Sequence, residues 1–161
     1  MNTYPLFAVV AVLSLAAAEA APAFVTYTNA RYGFSIAYPA GLVTPQPEAE
    51  NGDGRAFLAK TGTARFLAYA GHILEGINDS PEQRAIEAEK DCPAHHASYR
   101  VVKPELVAIS CATASEILYE KTILHDGLAT TLSAKYPKSE RSHWDSIVAR
   151  MARSMTPARS D

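Results

Sequence analysis

The order of elements along this chain predicts an α+β fold: a twisted antiparallel sheet of about six to seven strands with helices packed on it. Three observations carry that expectation. Short stretches place apolar side chains at alternate positions, the period of a strand with one buried face, and turn residues separate them. Ser80-Pro81-Glu82-Gln83 supplies a helix start between two groups of such strands. Near the end, Trp144, Ile147, Val148, Met151 and Met155 recur at the three- and four-residue spacing of a single helical stripe. Strands and helices come in blocks, not as alternating βαβ units, so the sheet is expected to be antiparallel.

Residues 1–20 read as a secretory leader. Residues 6–18 (LFAVVAVLSLAAA) form an apolar run shorter than the about 20 residues that a spanning helix needs. Ala18-Glu19-Ala20 has the small-x-small form that signal peptidase accepts, which makes Ala21 the expected mature start. Residues 1–5 contain no Lys or Arg, leaving the α-amino group as the positive charge there; an uncleaved anchor or a buried N-terminal helix is the competing reading. No cysteine borders the cleavage point, which argues against a lipid anchor. Residues 21–161 then make one domain with one core.

Phe24-Val25-Thr26-Tyr27-Thr28 is β-branched and aromatic, and predicts a first strand. The chain turns through residues 29–33. Phe34, Ile36 and Tyr38 then alternate with Ser35 and Ala37, and Pro39 ends the strand, because proline cannot donate to a ladder and holds the residue before it extended. Residues 45–54 (PQPEAENGDG) are polar and rich in turn formers, and predict a loop. Residues 55–60 and 64–73 predict a hairpin closed by Thr61-Gly62-Thr63. At the helix that follows, Ser80 can cap, Pro81 suits the first helical position and Gln83 has capping-box spacing. This helix is expected to reach about Asp91 and to lie on the surface, since only Ala85, Ile86 and Ala88 form its apolar side. Four strands follow, at 99–103, 106–112, 116–124 and 128–136. The second is a near-continuous apolar run, expected to be central, and Asp126-Gly127 is a strong hairpin turn between the last two. Ser139 is placed to cap the terminal helix, Thr156-Pro157 to end it, and the last residues to fray.

With these residues placed, the chain resembles the PsbP-like fold family, small α/β/α sandwiches that include extrinsic lumenal proteins of photosystem II and many exported bacterial proteins. Tyr32-Gly33-Phe34-Ser35-Ile36-Ala37-Tyr38-Pro39 carries the resemblance, with the strand-rich middle ending in Lys135-Tyr136-Pro137 and the terminal helix of Trp144, Ile147, Val148 and Met151. It looks closest to exported bacterial members without an assigned function. The resemblance implies the fold and no functional residue, because nothing matches the metal or photosystem contacts of the plant proteins.

Composition narrows the function further. The formal net charge of −2 lacks the basic surplus that general nucleic-acid binding requires. The two cysteines, Cys92 and Cys111, form an even set in an exported chain, which favours a disulfide worth roughly 3 kcal/mol; two separately buried thiols are the alternative.

Several groups bring chemically suggestive residues together. His95 and His96 follow Cys92 closely enough to suggest Zn²⁺ or Cu⁺ ligation, but a bridged Cys92 cannot ligate and adjacent histidines diverge in extended backbone, so a solvated loop is the better reading. His125 with Asp126, and Ser142 with His143, hold catalytic residue types, yet sequence neighbours rarely act as nucleophile and base, and no Gly-x-Ser-x-Gly elbow is present. Asn51-Gly52-Asp53-Gly54 lacks the regular ligands of a calcium loop, although Glu48 and Glu50 leave room for weak cation or partner binding. Arg141, Arg150 and Arg153 are too sparse for membrane attachment. Tyr27, Tyr32, Tyr38 and Tyr69 suit the edge of a core better than a ligand platform.

The expected function is therefore a non-catalytic, monomeric protein of the periplasm or exterior. It binds a protein partner or envelope component through loops 45–54 and 92–98, without cofactor, metal or membrane span in the mature chain. The alternatives are a small metal- or ligand-binding protein or enzyme, and an immunity-type inhibitor of a toxin.

Overall fold

The structure, a computed structural model, describes residues 22–77 and 80–159. The expected leader and its cleavage point near Ala20 lie outside the described residues. In chain order the strands are β1 (Phe24–Thr28), β2 (Ser35–Pro39), β3 (Val43–Glu48), β4 (Gly54–Ala59) and β5 (Arg65–His72). Helix α1 (Pro81–Glu89) follows, then β6 (Tyr99–Lys103), β7 (Leu106–Ala112), β8 (Glu116–His125), β9 (Leu128–Pro137) and helix α2 (Arg141–Ser154).

Seven strands form one antiparallel sheet in the order β3-β4-β5-β9-β8-β7-β6. The β1-β2 hairpin stands apart as its own two-stranded sheet. The strand alternation decides which side chains meet. Phe66, Leu132 and Ala134 point to the face covered by α2 and the hairpin, where Phe34, Ile36, Phe57 and Met151 complete a core with each side chain at most 1% exposed. On the opposite face, Val107, Ile109 and Cys111 of β7 meet Ala85 of α1 and Cys92. Helices therefore lie on both faces, but not opposite each other: α2 packs on β2 and β9, while α1 packs on β6 and β7.

Local chemistry explains the elements. Ser80 caps α1 by accepting from the Gln83 amide at 3.1 Å, and Ile86 on its outer side is 53% exposed, as a surface helix requires. Asp126 and Gly127 both take positive φ, 48° and 70°, which the tight β8-β9 turn demands. The disulfide joins Cys92, just past α1, to Cys111 in β7, with Cα atoms 5.8 Å apart.

Three sequence expectations are corrected. Residues 45–54 are not all loop: β3 runs through Pro45 and Pro47. It can do so because it is the outer strand of the sheet, bonded on one side only, and its register with β4 shifts between Pro45 and Glu48. Ser139 does not cap α2. It sits inside a short 3-10 turn, Lys138–Glu140, and Glu140 occupies the cap position with its carboxylate accepting from the Trp144 indole at 2.8 Å. The C-terminal residues do not fray as far as Arg159. The Thr156 amide donates to the Ser35 carbonyl and the Ser35 amide to the Thr156 hydroxyl, at 3.0 and 2.8 Å. The Ala158 amide donates to Thr130 Oγ1 and the Arg159 amide to the Tyr32 carbonyl, at 2.8 and 2.9 Å. The tail thus satisfies backbone groups that the β1-β2 hairpin would otherwise leave open, which is why it stays in place.

Candidate functional site

The register of the central strands sets three hydroxyls side by side. Tyr69 of β5 lies opposite Thr131 of β9, and Thr131 lies opposite Thr122 of β8. All three face the α1 side of the sheet, and the two threonine hydroxyls are 2.9 Å apart. Glu120, two residues before Thr122, points the same way. One turn into α1, Arg84 and Glu87 overhang this row, and Ile77 and Ile86 form an apolar lip. Together they enclose a cleft of about 550 Å3, within the range of small-molecule sites.

The electrostatics of the cleft are unusual for a sheet surface. Arg84 brings a guanidinium whose Nε and Nη2 are buried, and neither has a hydrogen-bond acceptor. Burial lowers its pKa, opposed by the nearby Tyr69 and Glu120. Burial likewise pushes the Glu120 carboxyl above the ordinary carboxylate range; Asp91 and Glu87 add to this, while Arg84 and Lys135 pull it back. Burial raises Tyr69 as well, with Glu120 reinforcing the shift and Thr131 and Arg84 opposing it. No ion pair within 4 Å joins Arg84 to Glu120 among the described residues. The cleft is lined by Arg84, whose Nε and Nη2 have neither an acceptor nor open surface, by a row of hydroxyls and by a carboxyl whose pKa burial raises.

This gives a signed expectation for stability. A carboxyl whose folded pKa is raised contributes stability that is fully present below its unfolded value and is lost as pH rises through the folded value. Glu120→Gln removes that loss. In urea unfolding the variant should be more stable than the parent at about pH 7.5, with the advantage shrinking below about pH 4. A variant less stable at the higher pH would mean that attraction to Arg84 outweighs burial.

The residues singled out from the sequence lie elsewhere. His95 and His96 are exposed, with His95 Nδ1 3.0 Å from the Lys90 carbonyl, and Cys92 is committed to the disulfide. Among the described residues no group of three His, Cys, Asp or Glu side chains converges as a metal site. His125 and Asp126 touch each other at 3.1 Å on an exposed turn. Ser142 and His143 are exposed, and His143 lies against the Trp144 ring. In loop 49–53, Asn51 donates to Asp53, and Arg31 donates to the Asn51 carbonyl. Glu48 accepts from the Tyr27 hydroxyl at 2.7 Å and Glu50 is exposed. Arg141 pairs with Asp145, Arg150 lies over the Phe24 ring, and Arg153 is exposed. Tyr27 and Tyr32 are buried and Tyr38 packs on Phe57, but Tyr69 lines the cleft and is not merely a core-edge residue.

No family model matches the chain, and no curated protein matches it. Among solved structures, the chain is similar to the solution structure of cyanobacterial PsbP (CyanoP) from Synechocystis, with a TM-score of 0.62 at 10% sequence identity, covering 86% of this chain and 94% of that one. The fold is PsbP-like. Within it, the cleft takes its floor from the neighbouring strands β5, β9 and β8 and its wall from α1, and neither of the loops expected to recognise a partner, 45–54 and 92–98, reaches it. One signal for the site was present in the sequence. Glu120 lies between Leu118 and Thr122 on the side of β8 that ends in Leu124, a charge in mid-strand where Glu116 lies only at the strand's start.

Proposed function

We propose that this chain is a non-catalytic binding protein of the cell envelope, exported by its leader and receiving a small polar ligand in the cleft beneath α1. One observation carries the reading: the buried Nε and Nη2 of Arg84 lack acceptors, and a buried donor without a partner costs about 1–3 kcal/mol, which a ligand oxygen would offset once the guanidinium turns that edge to the cleft. The disulfide supports an oxidising compartment. The lining holds two acids, hydroxyls, a guanidinium, the Gln83 amide and Lys90, itself paired with Glu87, a set that supports binding over catalysis.

Amide resonances read the site directly. On adding a low-molecular-weight extract of the envelope fraction, the signals of Tyr69, Arg84, Thr122 and Thr131 should move together, and Arg84→Ala should abolish the response. Shifts confined to other surfaces, or none, would overturn the reading.

A second reading, a protein partner, draws on a different observation. Leu58 and Leu67 lie on the half of the sheet that α1 leaves bare, and each is 42% exposed. Such a partner would broaden signals of β4 and β5 and leave Arg84 unchanged.

A further inference from the structure

We propose that the cleft takes a small monocarboxylate with an apolar body, and that the Arg84 guanidinium turns its Nε–H and Nη2–H edge, closed off in this structure, to grip the two oxygens side-on. The inference rests on the reading of the cleft as a binding site and adds the chemistry of what enters it. The two orphaned nitrogens are not an arbitrary pair. Nε and Nη2 share one edge of the planar guanidinium, and their N–H bonds run nearly parallel, the spacing that matches the two oxygens of a carboxylate. The opposite edge, by contrast, has no buried orphan.

The rest of the cleft selects within the anions. The groups that bear on Glu120 are Arg84 and Glu87 from α1, Asp91 just beyond it, Lys135 from β9 and Tyr69 from β5. Lys135 is already engaged by Asp91 at 2.7 Å, which leaves Arg84 as the one cation among these without a paired acid. Glu87 is held by Lys90, which also lines the cleft, so Glu120 is the unpaired acid there, and once ionised it repels a dianion such as sulfate more than a singly charged carboxylate. Glu120 in its neutral form is a third donor toward the bound oxygens, and the hydroxyls of Tyr69 and Thr131 lie beside it. Ile77, 70% exposed, and Ile86 at the lip give an apolar chain a surface to cover.

Protonation then couples to binding. A neutral Glu120 donates to the ligand, whereas an ionised one repels it, so carboxylate affinity falls as pH rises through the Glu120 titration, by at most about tenfold per pH unit.

Hexanoate is a suitable probe, with hexylamine and sulfate, a dianion throughout this range, as comparisons, each titrated against the disulfide-bonded protein with calorimetry and amide shifts as readouts. Hexanoate should bind at about pH 6 and more weakly at about pH 8, both above its own titration, moving Arg84, Thr122 and Thr131, while the two comparisons should not. Glu120→Gln should bind hexanoate at both pH values equally. Arg84→Lys keeps the charge and loses the fork, and should weaken binding at least tenfold with an unchanged fold by amide dispersion. Binding of hexylamine or sulfate in place of hexanoate, or a pH dependence that survives in Glu120→Gln, would overturn the inference. If hexanoate fails while envelope extract still shifts the cleft, the carboxylate assignment falls and the site stands; if extract shifts only other surfaces, the site itself falls.

Discussion

Trp144→Ala should cost the fold about 3–5 kcal/mol, because it removes a whole indole from a packed core. The ring is 3% exposed, and its centre lies 5.2 Å from that of Phe66 in β5. It heads the stripe of Ile147, Val148 and Met151 that holds α2 on the sheet. Its N–H also reaches Glu140 at the start of the helix, so the deletion strips an interaction from a helix end that no side chain caps. Trp144→Phe separates the two contributions. The ring contact with Phe66 largely survives and the donor is lost, while half-buried Glu140 can turn to water, so the loss should be nearer about 1 kcal/mol. The chain has one tryptophan, so unfolding must be followed by circular dichroism in urea. A loss below about 1 kcal/mol for Trp144→Ala would mean that the stripe does not face the sheet.

The parts of the fold that were legible in the sequence are those set by neighbours. Phe34 and Ile36 alternate with Ser35 because one face of β2 is buried, and that pattern needs no knowledge of the partner strand. The Asp126-Gly127 turn and the Ser80 cap are equally local. What escaped depended on distance along the chain. Pro45 and Pro47 argue against a strand until β3 is known to be an edge. The tail reads as free until Thr156 is seen to bond Ser35, 121 residues away. The cleft combines both difficulties. Tyr69, Thr122 and Thr131 become neighbours only through the β5-β9 and β9-β8 pairings, and Arg84 sits on a helix face that reads as solvated. Glu120 stood out of pattern within its own strand, but so did Lys121 beside it, and a charged residue in a strand does not say what faces it.

Removing the disulfide as the Cys92→Ala, Cys111→Ala pair should cost roughly 3 kcal/mol, the entropy that closing a loop of this length takes from the unfolded chain. For a chain of this size that corresponds to a fall in Tm of about 10 °C. The effect should not spread evenly. The bond ties the end of α1 to β7, and α1 buries only Ala85 and Glu89 of its own nine residues. Its small satellite core of Ala85, Val107 and Ile109 is the lesser of the two clusters, so without the bond α1 should open well below global unfolding. Amide exchange in α1 should then accelerate far more than in β8 or β9. Because Arg84 rides on α1, the same pair of substitutions should weaken hexanoate binding although neither cysteine lines the cleft. Exchange that rises uniformly would show that the bond acts only on the unfolded chain. Unchanged stability, with both thiols of the parent protein reacting fully under non-reducing denaturation, would show that the protein does not carry the bond.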